Sequence, residues 1–366
     1  MTTAPAPQAP PFCPNPACRF HRKDRSSWHF KRIGFYERKS APHVVQRYRC
    51  VTCRRNFGDQ TFRTTYWMHR PDLLAPVFMR LLACSGFRQI AREFRVSPTT
   101  IARTSARLGR HGFLFHESRR PRTPLLEPLA LDSFESFEWS QYYPTSYHVA
   151  VGKDSHFFYG FTASELRRKG RMTEKQKKRR AALERALGRP DPRAIEKDVA
   201  VLLGIVAPTP QHLELHTDEH TDYPRAVRRV PHLAVTHHTI SSRAARTQRN
   251  PLFPVNLLDL LFRHSGAHHK RETIAFSKRR QSAFERMGIF LVWRNWMKSF
   301  SERKKDGSPG MRLGLIERRL EVEEVLAKRL FPTQIELPLP WRDYYWRRVR
   351  TRALQRCTEH RRRYAI

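Results

Sequence analysis

Two short apolar runs constrain this chain most, because each ends in a carboxylate. Leu129-Ala130-Leu131 runs into Asp132, and Leu213-Glu214-Leu215-His216-Thr217 runs into Asp218. Runs of this length with β-favouring neighbours read as strands, and strands that pair side by side bring such acids to one edge of a sheet. The aromatic segments Tyr147 to Gly152 and His156 to Phe161 read as partners. The expected strands are 129–138, 146–153, 156–163, 213–218 and 232–237. Residues 165–211 interrupt them with a basic helix, Lys175 to Leu187, and an apolar helix near Ile195 to Val206. A short helix, Tyr223 to Arg229, separates the last two strands. A helical region begins near Phe253, where Asn256, Asp259 and Arg263 recur at i, i+3, i+7, opposite Leu257, Leu258, Leu261 and Phe262. A third carboxylate therefore stands on the first helix after the fifth strand.

Clustered acids carry meaning here because the chain is so basic. Its 366 residues hold 70 Lys and Arg against 33 Asp and Glu, a formal charge of +37. Such an excess points to nucleic acid as partner, and acids inside it point to a divalent metal facing a polyanion. No apolar run reaches about 18 residues, so no transmembrane helix is expected. Residues 1–12 read as a disordered leader, not a signal peptide. Glu135 and Glu138 read as an exposed strand face. His216, His220, His237 and His238 read as solvated or DNA-facing.

Four of the six cysteines form two close pairs, Cys13-Pro-Asn-Pro-Ala-Cys18 and Cys50-Val-Thr-Cys53. Two tight turns of this kind supply the four thiolates of a tetrahedral zinc site, which would replace the core that so short a module lacks. Residues 13–60 are expected to form it, in a reducing, cytoplasmic compartment. His21 reads as a surface residue; Cys84 and Cys357 read as plain thiols.

Residues 70–112 look helical. One helix runs from Pro71 to about Cys84, a second from Arg88 to Phe94, and Val96-Ser-Pro-Thr-Thr100 turns into a third from Ile101 to Leu108. That is a helix-turn-helix pattern, with Arg88, Thr99, Thr100 and Arg103 positioned to meet DNA. Gly109 to Pro128 reads as a linker. Beyond the strands, Ala283 to Met297 and a charged segment, Ile316 to Leu330, read as helices. Residues 317–366 read as a basic helical tail whose Trp and Tyr either stack on bases or pack.

Together these residues resemble a DDE-type bacterial insertion-sequence transposase of the kind that carries a zinc ribbon and a helix-turn-helix before its core. Gln46-Arg-Tyr-Arg-Cys50-Val-Thr-Cys53-Arg-Arg-Asn-Phe57 is similar to the ribbon motif, and Ser85-Gly-Phe-Arg-Gln-Ile-Ala91 to the helix-turn-helix entry. Asp218-Glu-His-Thr-Asp-Tyr-Pro224 is similar to the second-acid motif; Phe276-Ser-Lys-Arg, Trp293-Arg-Asn295, Ser308-Pro309 and Leu313-Gly-Leu315 are similar to the closing motifs. The resemblance implies an α/β, ribonuclease-H-like domain over 125–316, with a five-stranded mixed sheet and the insertion at 165–211. It implies Asp132, Asp218 and Asp259 as ligands of catalytic Mg²⁺ or Mn²⁺, double-stranded DNA as substrate (element ends and target), and a homodimer or higher assembly on DNA. The family usually carries Glu at the third position, so Asp259 departs from it, and Glu272 and Glu285 remain alternatives. A non-catalytic zinc-ribbon and helix-turn-helix regulator, or a decayed transposase, is the competing reading.

Overall fold

The computed structural model describes residues 9–22, 26–121, 124–270, 273–304, 306–354, 356 and 359–360. Met1 to Gln8, Glu272 and Cys357 lie outside them, and with them most of the leader, one alternative third acid and one cysteine.

The N-terminal module is a three-stranded antiparallel sheet: β1 (Phe30–Glu37), β2 (Val44–Cys50) and β3 (Asn56–Gly58). Its small core holds Phe20, Trp28, Tyr48, Phe57 and the cysteines. Three helices follow: α1 (Leu74–Leu82), α2 (Phe87–Glu93) and α3 (Pro98–Arg119). Ser97 caps α3 by accepting the Thr100 N–H at 3.1 Å.

The main sheet has five strands: β4 (Leu129–Phe137), β5 (Pro144–Gly152), β6 (Phe158–Glu165), β7 (Gln211–Asp218) and β8 (Leu233–Ile240). Their order is β6-β5-β4-β7-β8. The first three pair antiparallel, while β4/β7 and β7/β8 pair parallel. Helices α4 (Glu174–Leu187) and α5 (Ala194–Val206) join β6 to β7, and α6 (Asp222–Val227) joins β7 to β8. Then come α7 (Phe253–Ser265), α8 (Arg280–Val292), α9 (Pro309–Arg312), α10 (Val322–Leu326) and α11 (Trp341–Tyr345).

Both faces of the central strands are covered, which explains their continuous apolar sequence. Leu129, Leu131, Leu213 and Leu215 pack with Val199, Leu202 and Leu203 of α5 and Tyr223 of α6. Ala130, Phe134, Tyr147 and Val149 pack on the other face with Leu258 and Phe262 of α7 and Phe284 of α8. The period of two therefore turns Asp132 and Asp218 toward the face that α7 covers.

Several expectations are corrected. The linker expected from Gly109 is helix as far as Arg119, because Gly109 and Gly112 are a helix crossing, not breaks. A Cβ at Gly109 would lie 2.2 Å from the Glu285 carbonyl oxygen, and one at Gly112 2.4 Å from that of Gly288. Only glycine lets α3 and α8 approach so closely. The helix expected over 316–330 is a single short turn, α10, and of residues 317–366 only α10 and α11 are helical among those described. This segment is a docked arm. Trp341 is fully buried, and its indole N–H donates to the Phe161 carbonyl at 2.9 Å, so it has no face free for a base. Glu138 is not exposed: it is buried, and it accepts from Arg280 at 2.6 Å and from Thr351 at 2.9 Å.

The arm also holds the N-terminal module. Arg329 donates to the Thr61 carbonyl at 2.8 Å, and Phe331 packs edge-on against Phe12. His21, expected at the surface, is buried and bonded to Thr333 at 2.6 Å. It donates or accepts there through Nε2 and is not part of the cysteine group.

Candidate metal centres and nucleic-acid interface

The four paired cysteines converge. Cys13, Cys18, Cys50 and Cys53 bring their sulfur atoms to within 4.8 Å of one another. Cys13 and Cys53 are 3.5 Å apart, and Cys18 and Cys50 are 4.0 Å apart. A tetrahedron with metal–sulfur bonds of about 2.3 Å has sulfur–sulfur edges of about 3.8 Å, so the spacing fits zinc. Burial pushes the Cys13 and Cys18 thiols up. Cys50 feels the same burial, but hydrogen bonds from the Cys53 backbone and the Trp28 indole outweigh it and bring it down to about 7. One thiolate is thus poised to form, and a cation would draw out the rest.

The three aspartates also come together, each delivered by a different element. Asp132 lies within β4, opposite Val149 of β5. Asp218 ends β7, where its Oδ1 accepts the His220 N–H at 3.0 Å. Asp259 stands on the second turn of α7, which crosses the same face of the sheet. Asp132 feels the charge of Asp218, and Asp259 feels that of Asp132. Burial and then the Asp218 charge push Asp132 up to about 6, against the Ser133 N–H, Arg246 and His220. Burial and then the Asp132 charge hold Asp259 well above the usual carboxyl range, against Arg263 and Arg246. Asp259 Oδ1 is buried with no hydrogen-bond partner among the described residues. A buried carboxylate oxygen without a donor, with the Asp132 carboxylate near it, is suited to a hard divalent cation. The acids are spaced more widely than the cysteines, which alone among the described residues close to within 4.8 Å.

Glu285 is placed elsewhere. It is buried at the α3–α8 crossing, paired with Arg347 at 2.8 Å and bonded to Gln281.

Beneath the acids, on the opposite face of the sheet, runs a polar line that the sequence did not announce. Tyr223 OH lies 3.0 Å from Ser133 Oγ, which lies 2.6 Å from His148 Nδ1. His148 Nε2 lies 2.7 Å from Ser164 Oγ, which donates to Asp198 Oδ2 at 2.6 Å. It ties β4, β5, β6, α5 and α6 together directly below Asp132. A histidine inside an aromatic strand carried no signal of this. Of the other histidines, His220 and His238 are exposed as expected, but His216 is buried, bonded to Glu214 at 2.9 Å and stacked on His238, and the half-buried His237 meets Thr217 at 2.8 Å.

Of the expected DNA-contacting residues, Arg88, Thr99 and Arg103 are exposed, and Thr100 is half-buried with its hydroxyl 3.0 Å from Ser97. Arg88 lies on the first turn of α2, whereas Thr99, Thr100 and Arg103 lie on the first two turns of α3. From Thr104 onward α3 is largely core. No helix of the described residues is long and apolar enough to cross a membrane.

No family model matches the chain, and no curated protein matches it. Among solved structures, it is similar to a chain of the simian T-cell lymphotropic virus intasome in complex with PP2A regulatory subunit B56 gamma. The identity is 14%, the TM-score is 0.25, and the match covers 62% of this chain and 68% of that one. A likeness that distant assigns neither relative nor function.

Proposed function

We propose that the chain is a metal-dependent DNA transposase of the DDE type, with aspartate as its third acid. The observation that carries this reading is the meeting of Asp132, Asp218 and Asp259 from β4, β7 and α7, with one Asp259 oxygen buried and unpartnered. The five-stranded mixed sheet flanked by helices is compatible with a ribonuclease-H-like core, and the +37 charge suits a polyanionic substrate.

In this reading Asp132, Asp218 and Asp259 hold Mg²⁺ or Mn²⁺. Such ions supply activation of the attacking oxygen and neutralisation of the leaving one in an in-line displacement at phosphorus. The protein's own part is electrostatic and positional. Its acids are ionised together only when a cation offsets their repulsion. Ser133 N–H and His220 N–H fix the Asp132 and Asp218 carboxylates. Water would attack first, breaking a phosphodiester to leave a 3′-hydroxyl at the element end and a 5′-phosphate on the flank; that hydroxyl would then attack a target phosphodiester, joining element to target and releasing a target 3′-hydroxyl. The zinc module, the start of α2 with Arg88, and the start of α3 with Thr99, Thr100 and Arg103 bind the terminal repeats. Assembly on paired ends makes the working unit a dimer or larger.

A DNA-binding protein that no longer cuts is the second reading, and the wide spacing of the acids together with Asp259 in place of Glu favours it. Nicking of supercoiled plasmid with Mn²⁺ separates the two. Cleavage by the wild-type chain that is lost in Asp132→Asn and Asp218→Asn supports the enzyme. Cleavage retained by either variant removes that residue from the site, and no cleavage by the wild type leaves the binding protein.

A further inference from the structure

Residues 241–252 join the end of β8 to the start of α7. β8 pairs with the strand that ends in Asp218, and α7 carries Asp259. The segment therefore spans the edge where the acids meet, whatever its own conformation. It is also pinned. Ser242 N–H donates to Glu219 Oε2 at 3.1 Å, tying it to the turn after Asp218. Asn250 Nδ2 donates to the Ala245 carbonyl at 3.0 Å, and the Asn250 N–H to that of Thr247 at the same distance.

On this pinned loop stand Arg243, Arg246 and Arg249, three residues apart and all exposed. The Arg243 N–H donates to Ser241 Oγ at 3.3 Å, but none of the three guanidinium groups makes a hydrogen bond or a contact ion pair among the described residues. Arg246 is felt by both Asp132 and Asp259, yet it is bonded to neither. A guanidinium on the loop between these elements that bonds to neither carboxylate has its donors free for another anion. Its planar fork suits the two non-bridging oxygens of a phosphodiester.

We propose that the 241–252 loop is a phosphate grip that lays a DNA backbone across the acid cluster, with Arg246 on the linkage nearest the acids and Arg243 and Arg249 on its neighbours. This rests on the reading of the acids as a metal site only for the placement of Arg246; the grip on DNA stands without it. An exposed loop tolerates such substitutions, so the variants remain folded.

The test uses the full chain and a 30-base-pair duplex of arbitrary sequence, with affinity measured against NaCl concentration. Each phosphate contact contributes about 0.9 to the slope of log affinity against log salt. Arg246→Ala is expected to lower the slope by about 0.9, the triple Arg243→Ala/Arg246→Ala/Arg249→Ala variant by about 2.7, and Arg246→Lys to keep it. Slopes unchanged in both alanine variants overturn the grip. A second measurement, Mn²⁺ binding without DNA, reads the position of Arg246. Removing a positive charge beside the acids should tighten Mn²⁺ roughly threefold in Arg246→Ala and leave Arg243→Ala unchanged. Equal Mn²⁺ affinity in all three proteins overturns the placement of Arg246. If the wild type takes up no Mn²⁺ that Asp132→Asn abolishes, the metal-site reading falls, and the salt slopes still decide the grip.

Discussion

The Ser133 hydroxyl lies 2.6 Å from Nδ1 of His148, on the sheet face opposite Asp132. The direction of this bond follows from its neighbours. Ser164 gives its proton to Asp198, so it must accept from His148 Nε2–H. The imidazole is neutral, since burial brings it down to about 3. Nδ1 therefore accepts from Ser133, which accepts from Tyr223. Ser133→Ala strands two buried partners at once and is expected to cost roughly 1–3 kcal/mol in urea unfolding. ¹⁵N-histidine NMR of the wild type should show His148 protonated at Nε2; protonation at Nδ1 instead contradicts the order of donors.

At the α3–α8 crossing, Gly109→Ala is expected to be among the worst single changes in the protein. The added Cβ meets backbone at 2.2 to 2.6 Å, which no side-chain rotation relieves. A loss of about 3 kcal/mol or more, or no soluble protein, is expected. Gly204 in α5 has open space at the same position. Gly204→Ala should gain about 0.5–1 kcal/mol from helix propensity alone.

Asp259→Asn should stabilise the metal-free chain at pH 8. The carboxyl of Asp259 is raised in the folded state, so its contribution is fully present below the unfolded value near 4 and is lost as pH rises. The gain in Tm of Asp259→Asn over wild type should therefore shrink toward zero near pH 4. Mn²⁺ should raise the Tm of the wild type at pH 8 and leave Asp259→Asn unmoved. A wild-type Tm indifferent to Mn²⁺ at pH 8 would count against these acids as ligands.

His116 is one of several buried histidines, with His111, His148 and His269, that erode stability in acid. It is fully buried, with Nε2 donating to the Tyr159 carbonyl at 3.1 Å, and burial brings it down to about 3. Its unfolded value is near 6.5, so between these limits the unfolded chain binds the extra proton. Stability is retained above 6.5 and falls as pH drops toward 3, by about 1.4 kcal/mol per pH unit for this group. His116→Gln keeps the donor and removes the titration. Its stability curve between pH 6 and 4 should be flatter than the wild-type curve by that amount.

Metal removal should act locally. One zinc per chain is expected, and chelation or Cys50→Ser should unfold residues 13–60 while the five-stranded sheet persists. The Trp28 indole donates to Cys50 Sγ at 3.3 Å inside the small core. Red-shifted emission with little change in far-ultraviolet dichroism is the expected signature; collapse of both signals together would show that the module and the sheet fold as one.

What could be read from the residues alone were the features whose signal is local. The runs before Asp132 and Asp218 are short, apolar and terminated, and the placement of Asp259 followed from one helix face. The cysteine pairs are close in the chain, so their turns are visible in it. What stayed hidden depends on partners far away. Gly109 reads as a break until the backbone of Glu285 is seen to need its missing side chain. Glu138 reads as exposed until Arg280 arrives. The charged periodicity of 316–330 suggests a helix, but only the turn Val322–Leu326, whose Val325 and Leu326 dock into the core, is helical. His148 and Arg246 lack any pattern of their own; only strand pairing and the loop's two anchors reveal them.

Arg329, Phe331 and Thr333 clasp Thr61, Phe12 and His21 across nearly the whole length of the polypeptide. A ribosome making this protein thus releases its first module long before the clasp exists. During synthesis that module can fold around its cysteines but has nothing to fix its bearing on the sheet. The last stretch to emerge sets the orientation of the first, so a stalled or clipped product would carry both the cysteine group and the three aspartates and yet lack the contacts that set the angle between them.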